Sequence, residues 1–457
     1  MSRFAPLLLP DRGQPAHAVH LLEPGGHDAW LSRQSSRTRA GLAAHRFTGK
    51  PGSHAIVAGD GDDWSVVAVV ADPASPWALA KLAEALPPGT YRVDGPAPSA
   101  LGWLLGQYRF TRYRKADDAE PRVLLTADAA GIEETLRLAE ATAIVRDLVN
   151  TPAADCGPAD LEAAAEELAR RHGASVTVRR GDELAQGYPM IHAVGRAAAR
   201  DRAPRLIELS WGDPQAPRVA LVGKGVSFDT GGLDIKPAAG MRLMKKDMGG
   251  AAHALALAGL VMEAKLPVRL HLLIPAVENA VSADAFRPGD VLRSRKGLSV
   301  ENTNTDAEGR LILGDALTRA GEEKPELILD FATLTGAARV ALGPDLPPLF
   351  TDDEALARDL LAAGDAQADP MWRLPLWDGY DDLLKSDIAD LQNAPDGGFA
   401  GAITAALFLR RFVPAGVAWA HLDVFAWRPT AKPGRPKGGD AYALRASWAM
   451  LKARYGR

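Results

Sequence analysis

Two short stretches hold most of the residues in this sequence that could act together chemically. The first runs from Lys224 through Asp229 and Lys236 to Asp247. Gly223, Gly225, Gly231 and Gly232 thread it, and Gly249-Gly250 follows directly. So much glycine around charged residues suggests a backbone that must pass close to something bound. A phosphate loop would need a hydroxyl residue after the lysine, and Gly225 stands there instead. An aspartic protease would use Asp229-Thr230-Gly231 but needs a second such motif, and Asp396-Gly397-Gly398 lacks the hydroxyl. A glycine-rich turn with incidental charge is the plainest reading. The second stretch, Asn302-Thr303-Asn304-Thr305-Asp306-Ala307-Glu308-Gly309-Arg310, precedes the apolar Leu311-Ile312-Leu313. Alone it reads as a helix start, with Asp306 as cap, Glu308 as a first-turn acid and Arg310 in an exposed ion pair.

Taken together the two stretches suggest more. If Asp229, Asp247, Asp306 and Glu308 converge, four carboxylates share one cleft and cannot all stay ionised without compensation. Two divalent cations would neutralise them, and oxygen-rich sites suit manganese, magnesium or zinc. A metal pair roughly 3.5–4 Å apart can activate water and polarise a carbonyl together. Lys236 and Arg310 would add positive charge where a tetrahedral intermediate develops. That chemistry is metal-assisted hydrolysis.

Such residues need a rigid scaffold, and the chain supplies a candidate. After Pro158 the pattern alternates regularly. Helix 158–172 leads to strand 175–178, and strands 206–210 and 218–226 follow. Helix 249–264 leads to strand 268–276, helix 311–320 to strand 326–332, and helix 402–412 to strand 417–424. This alternation predicts right-handed crossovers and a mostly parallel, helix-covered sheet, with ligands beyond the carboxyl ends of its strands. Residues 1–120 read as short strands around 55–57, 66–70 and 91–93 with a helix over 77–86, and they carry no constellation that could do chemistry. The fold class is α/β in two domains: a small N-terminal α/β domain over 1–130, a linker helix over 131–150, and a larger catalytic domain over 151–457.

Composition narrows the function. The chain has 457 residues, 47% hydrophobic and 24% charged, with formal net charge -4. That profile is ordinary for a globular protein and gives no field that would gather nucleic acid or anionic membrane. Leu7-Leu8-Leu9 is too short for a signal peptide's apolar core, and no stretch is long enough to span a bilayer. The single cysteine, Cys156, excludes an intrachain disulfide framework. It reads as a small buried residue, and His253, His271 and His421 as packed or hydrogen-bonded ones. A cytoplasmic location is expected.

The segment Asn304–Leu311 resembles the signature of the leucyl aminopeptidases, peptidase family M17. Val222-Gly223-Lys224-Gly225, Phe228–Gly232 with Lys236, and Met244 with Asp247–Ala252 are similar to that family's metal-binding stretch. The similarity runs from Arg146 to at least Asp423. It implies that Asp229 and Glu308 bridge two metals, that Asp306 completes one site, and that Lys224 and Asp247 complete the other. It further implies that Lys236 orients the substrate carbonyl and that Arg310 holds a bicarbonate acting as general base. Spacing alone would make Lys224 a counter-ion, since a lysine ligand must be neutral. Met244, Thr333, Leu334 and Gly336 are implied to bind substrate, suiting an apolar, leucine-like first residue. The partners implied are short peptides with a free N-terminus and further copies of the chain in a homohexamer. The metals implied are two per subunit, manganese or zinc, with magnesium as a further option. The alternative is a regulatory or DNA-binding member of the same fold. Departures from the pattern fall at Gln392, at Val424-Phe425-Ala426-Trp427 and along Lys437–Tyr442. These put substrate preference in question.

Overall fold

The structure, a computed structural model, describes residues 2–59, 62–94, 99–115 and 120–456. It divides into two compact units. One comprises residues 1–143 with 430–437, the other 144–429 with 438–457. The helix Ile132–Asn150 begins in the first and ends in the second, and a late segment of eight residues returns to the first.

The first unit is built on a six-stranded sheet in the order Leu8–Pro10, Arg122–Thr126, Gly89–Asp94, His17–Leu22, Trp64–Val69, His54–Ala58. All neighbours are parallel except the His54–Ala58 edge. The short strands around residues 55–57, 66–70 and 91–93 are thus part of a larger sheet. Its remaining strands are short and flanked by glycine and proline, which hides their alternation. Val19, Val66, Tyr91 and Leu124 pack against Leu79, Leu82 and Trp103 in its core. The Trp103 indole, fully buried, donates to the Arg122 carbonyl at 2.9 Å, so its one polar atom is satisfied.

The second unit carries a nine-stranded mixed sheet. Its path is Trp372–Arg373, Pro348–Phe350, Ala418–Asp423, Leu327–Ala332, Arg218–Gly223, Arg269–Asn279, Arg205–Trp211, Ser175–Arg179, and a ninth strand, Gly225–Asp229, pairs with Arg269–Asn279 off this path. The central neighbours Ala418–Asp423, Leu327–Ala332, Arg218–Gly223 and Arg269–Asn279 run parallel. Antiparallel pairs lie outside them. These central strands read as continuous apolar runs because both faces are covered. Helices Gly249–Glu263 and Glu308–Glu322 are almost wholly buried against them.

One strand departs from the expectation. The run 218–226 is two strands, Arg218–Gly223 and Gly225–Asp229, both pairing with the long Arg269–Asn279. The break falls at Lys224, whose N–H turns to the Phe331 carbonyl at 3.0 Å and whose carbonyl accepts from Ala251 at 2.8 Å. Gly250 makes this approach feasible: a Cβ there would sit 2.1 Å from the Phe331 oxygen.

Candidate metal centre

Parallel strands that end side by side deliver the residues after them into one crevice. Lys224 follows Arg218–Gly223, Thr333 follows Leu327–Ala332, and Asp423 closes Ala418–Asp423. Asp229 ends the second half of the broken strand, Asp247 precedes helix Gly249–Glu263, and Glu308 opens helix Glu308–Glu322. A cavity of about 450 Å³ opens here. All eleven residues singled out from the sequence line it: Lys224, Asp229, Lys236, Met244, Asp247, Asp306, Glu308, Arg310, Thr333, Leu334 and Gly336.

Carboxylate oxygens of Asp229, Asp306 and Glu308 lie within 4.8 Å of one another. Asp247 joins them through Lys224, whose ammonium reaches Asp247 Oδ2 at 2.7 Å and Glu308 Oε1 at 2.9 Å. Lys236 spans the other side, 2.8 Å from Asp229 Oδ2 and in contact with Asp306. Lys224 also donates to the Thr333 carbonyl at 3.0 Å. Its side chain lies across Gly309, where a Cβ would meet Lys224 Cε at 2.6 Å, so any larger residue at 309 would displace the lysine from the cage.

Supporting bonds fix the cage. Asp229 Oδ1 accepts from the Gly231 N–H and the Asn279 amide, both at 2.9 Å. Asn279 also donates to the Thr305 carbonyl at 3.1 Å, tying the two acidic segments together. The fully buried Asn393 accepts from Thr303 at 2.8 Å and donates to Asn302 Oδ1 at 2.9 Å and the Asn304 carbonyl at 2.7 Å. Its own carbonyl accepts from Arg310 Nη1 at 2.7 Å. Neither asparagine is visible from the sequence as a site residue, because both act across distant segments.

The electrostatics match four acids in a dry cleft. Burial, then the Asp229 charge, pushes Glu308 up to about 8. The same two causes push Asp306 up to about 6. Burial also opposes ionisation of Asp247, yet Lys224 and Lys246 hold its pKa below the ordinary value. Lys224 and Lys236 are raised despite burial, Lys224 chiefly by Asp247 and Glu308 and Lys236 by Asp229 and Glu308. Burial lowers Arg310 to about 10. It also pulls Lys246 down against the opposing charge of Asp247. Asp247 Oδ2, Asp306 Oδ1 and Glu308 Oε1 are buried and meet only ammonium groups, without a regular hydrogen bond. Such oxygens in a mutually repelling set are what a cation site requires, and the residues fit divalent metals.

The histidines lie outside this set. His253 bonds the Gly249 carbonyl and the Tyr442 N–H, His271 meets Glu208, and His421 meets Asp330 at 2.6 Å. Cys156 is buried.

Residues 143–447 match the catalytic domain of the cytosol aminopeptidase family, and residues 18–126 match the N-terminal domain of M17 aminopeptidases. The chain belongs to the M17 cytosol aminopeptidase family. It is 43% identical over 369 residues to a probable cytosol aminopeptidase of Syntrophotalea carbinolica, covering 77% of this chain and 73% of that protein. The crystal structure of a cytosol aminopeptidase from Coxiella burnetii superposes with a TM-score of 0.94 at 44% identity, covering 98% and 99% of the two chains. The bottromycin maturation enzyme BotP in complex with Mn gives 0.87 at 34% identity, over 96% of this chain and all of that one. M17 membership makes the chain a metal-dependent exopeptidase that removes N-terminal residues from peptides. The reading as a regulatory or DNA-binding member gains no support from these matches. No described helix is long and apolar enough to cross a membrane.

Several residues of this M17 cavity escaped the sequence reading. Lys246 and Arg339 line it beside Phe425, and Asp423 lies under the loop that carries Thr333 and Leu334. Phe425 was visible only as a departure from the family pattern.

Proposed function

We propose that this chain is a two-metal aminopeptidase acting on short peptides, with Lys224, Asp229, Asp247, Asp306 and Glu308 as the residues that would hold the metals. The close approach of Asp229, Asp306 and Glu308 oxygens at the floor of an open cavity carries this reading. When bound, two divalent cations (manganese or zinc, or magnesium) supply Lewis acidity and an acidified water, with bicarbonate as its base. Lys224 is protonated among free carboxylates; in the same cage a cation would favour its neutral, ligating form.

The chain's own groups do the rest. Lys236, only partly buried, presents its ammonium to the cavity between Asp229 and Asp306, placed to stabilise the oxyanion formed from the scissile carbonyl. Arg310 is anchored by Nη1 on Asn393, and its buried Nε has no partner among the described residues. That donor suits a planar oxyanion such as bicarbonate. Met244, Thr333, Leu334 and Gly336 line the cavity and suit an apolar, leucine-like first residue. We also assign a homohexameric assembly and a cytoplasmic location, following the family resemblance.

The test is release of p-nitroaniline from leucine p-nitroanilide by protein loaded with Mn²⁺, alongside metal analysis of the purified protein. Activity above background and close to two metals per chain support the reading. A metal-loaded protein that cleaves no member of a dipeptide panel would overturn it.

A further inference from the structure

The cavity lining is not wholly apolar beyond the metal cage. Lys246, 95% buried by its 5% exposure, places its ammonium 5.2 Å from the centre of the Phe425 ring. Arg339 on helix Gly336–Leu342 places its guanidinium 4.7 Å from the same centre. Both cations and the ring line the cavity. The guanidinium also borders the substrate loop, since a Cβ on Gly336 would sit 3.9 Å from Arg339 Nη2.

Neither cation has a carboxylate within hydrogen-bond distance among the described residues. Among the described residues no carboxylate pairs with Arg339. Lys246 meets one only at 3.7 Å, Asp247 Oδ1, while the other oxygen of Asp247 is taken by Lys224 at 2.7 Å. The remaining nearby acid, Asp423, is already committed. Its Oδ1 accepts from the Leu334 and Thr335 N–H groups at 2.9 and 3.3 Å, and its Oδ2 from the Thr335 hydroxyl at 2.7 Å. Two cations drawn to one aromatic ring, the buried one without a hydrogen-bonded anion, imply that an anion completes the site.

We propose that Lys246 and Arg339 are specificity-determining residues that recognise a carboxylate on the first side chain, so that peptides beginning with glutamate or aspartate are preferred substrates. This rests on the aminopeptidase reading and replaces its leucine-like preference with an acidic one. Met244, Leu334 and Gly336 take the apolar stem of the side chain, and the cationic wall takes its end. The guanidinium offers two parallel donors to the carboxylate, the ammonium a third. First residues bearing lysine or arginine meet like charge and are rejected.

The experiment compares kcat/KM for glutamyl, glutaminyl, leucyl and lysyl p-nitroanilides on the Mn²⁺-loaded full chain, and adds calorimetric binding of free glutamate against glutamine. The glutamyl substrate is expected to exceed the near-isosteric glutaminyl one by about tenfold or more, with the lysyl substrate slowest and glutamate the tighter ligand. In Arg339→Gln and Lys246→Met the glutamyl-to-glutaminyl ratio falls towards one, a ratio that cancels any general loss. Arg339 is exposed on a short helix, so its variant decides the matter if Lys246→Met does not fold. A ratio below two in the parent, or one unchanged in Arg339→Gln, overturns the proposal while cleavage of the leucyl substrate leaves the aminopeptidase reading standing. If nothing is cleaved, both fall.

Discussion

Asp423 tests whether the loop after strand Leu327–Ala332 is held in its working position by hydrogen bonds. Its carboxylate, buried at the end of strand Ala418–Asp423, takes two backbone N–H groups and one hydroxyl from Leu334 and Thr335. The same loop reaches the cage twice, because the Thr333 carbonyl accepts from Lys224 and the Thr333 hydroxyl donates to the Asp247 carbonyl at 2.9 Å. Asp423→Ala orphans two N–H groups at about 1–3 kcal/mol each. Leu334 and Thr335 are only half-buried and water can enter, so the lower end applies, about 2–3 kcal/mol. Charged against the productive loop position, this lowers kcat/KM by roughly 30- to 150-fold. Both kcat and KM should suffer, since the loop touches the substrate pocket and the cage. In Asp423→Asn the side-chain carbonyl can still accept from both N–H groups while the amide donates to the Thr335 hydroxyl, so activity should stay within about threefold of the parent, a small fraction of one such bond. Leucine p-nitroanilide kinetics with Mn²⁺ read all three proteins. An alanine variant within threefold of the parent would refute the clamp. An asparagine variant as damaged as the alanine one would show that charge, not hydrogen bonding, is what matters.

Other outcomes follow from the same geometry. Asp440 accepts from the wholly buried Arg146 at 2.9 and 3.0 Å and from the buried Arg428 at 2.7 Å; Asp440→Ala removes these bonds, leaving Arg428 its other carboxylate, Asp345, at 2.7 Å, and should cost about 3 kcal/mol, seen as a lower apparent melting temperature by calorimetry. Glu308→Gln removes the acid at the centre of the cage, and equilibrium dialysis with Mn²⁺ should show weakened binding along with loss of hydrolysis; unchanged metal content would contradict its place in the cage. Asp315 is buried on helix Glu308–Glu322, and although it accepts from the Met190, Ile191 and Arg295 N–H groups, burial pushes it up to about 7. The folded state therefore holds this proton where the unfolded chain has lost it, so Asp315 makes stability fall as pH rises from about 4 to about 7. Asp315→Asn should flatten that decline in denaturant titrations run across the window, and an identical slope would contradict the assignment.

The cage and the preference of the pocket were not equally legible, and the reason is how each is assembled. Asp306, Glu308 and Arg310 sit within five residues, and Lys224, Asp229, Lys236 and Asp247 within twenty-four, so chemistry could be suspected before any fold was known. The alternating elements after Pro158 carried the parallel sheet for the same reason, since each strand and helix declares itself locally. What failed was decided by tertiary contact. The apolar run 219–222 continues into Val226, and nothing in it shows that Phe331 and Ala251 capture the backbone of Lys224 and break the strand there. Lys224 itself could be placed but not assigned, because an ammonium between Asp247 and Glu308 is a counter-ion without a cation and a ligand with one. The cationic wall was the least legible part. Lys246 reads as one of two adjacent lysines, Arg339 as a surface charge on a helix, and Phe425 as a departure from a family pattern. The parallel pairing of Leu327–Ala332 with Ala418–Asp423 sets the segments carrying Arg339 and Phe425 side by side, and the turn before helix Gly249–Glu263 brings Lys246 to the same ring, so three unremarkable residues become one cationic wall. Sequence similarity that resides in the cage therefore transfers the reaction to this chain, while the substrate must be read from the wall.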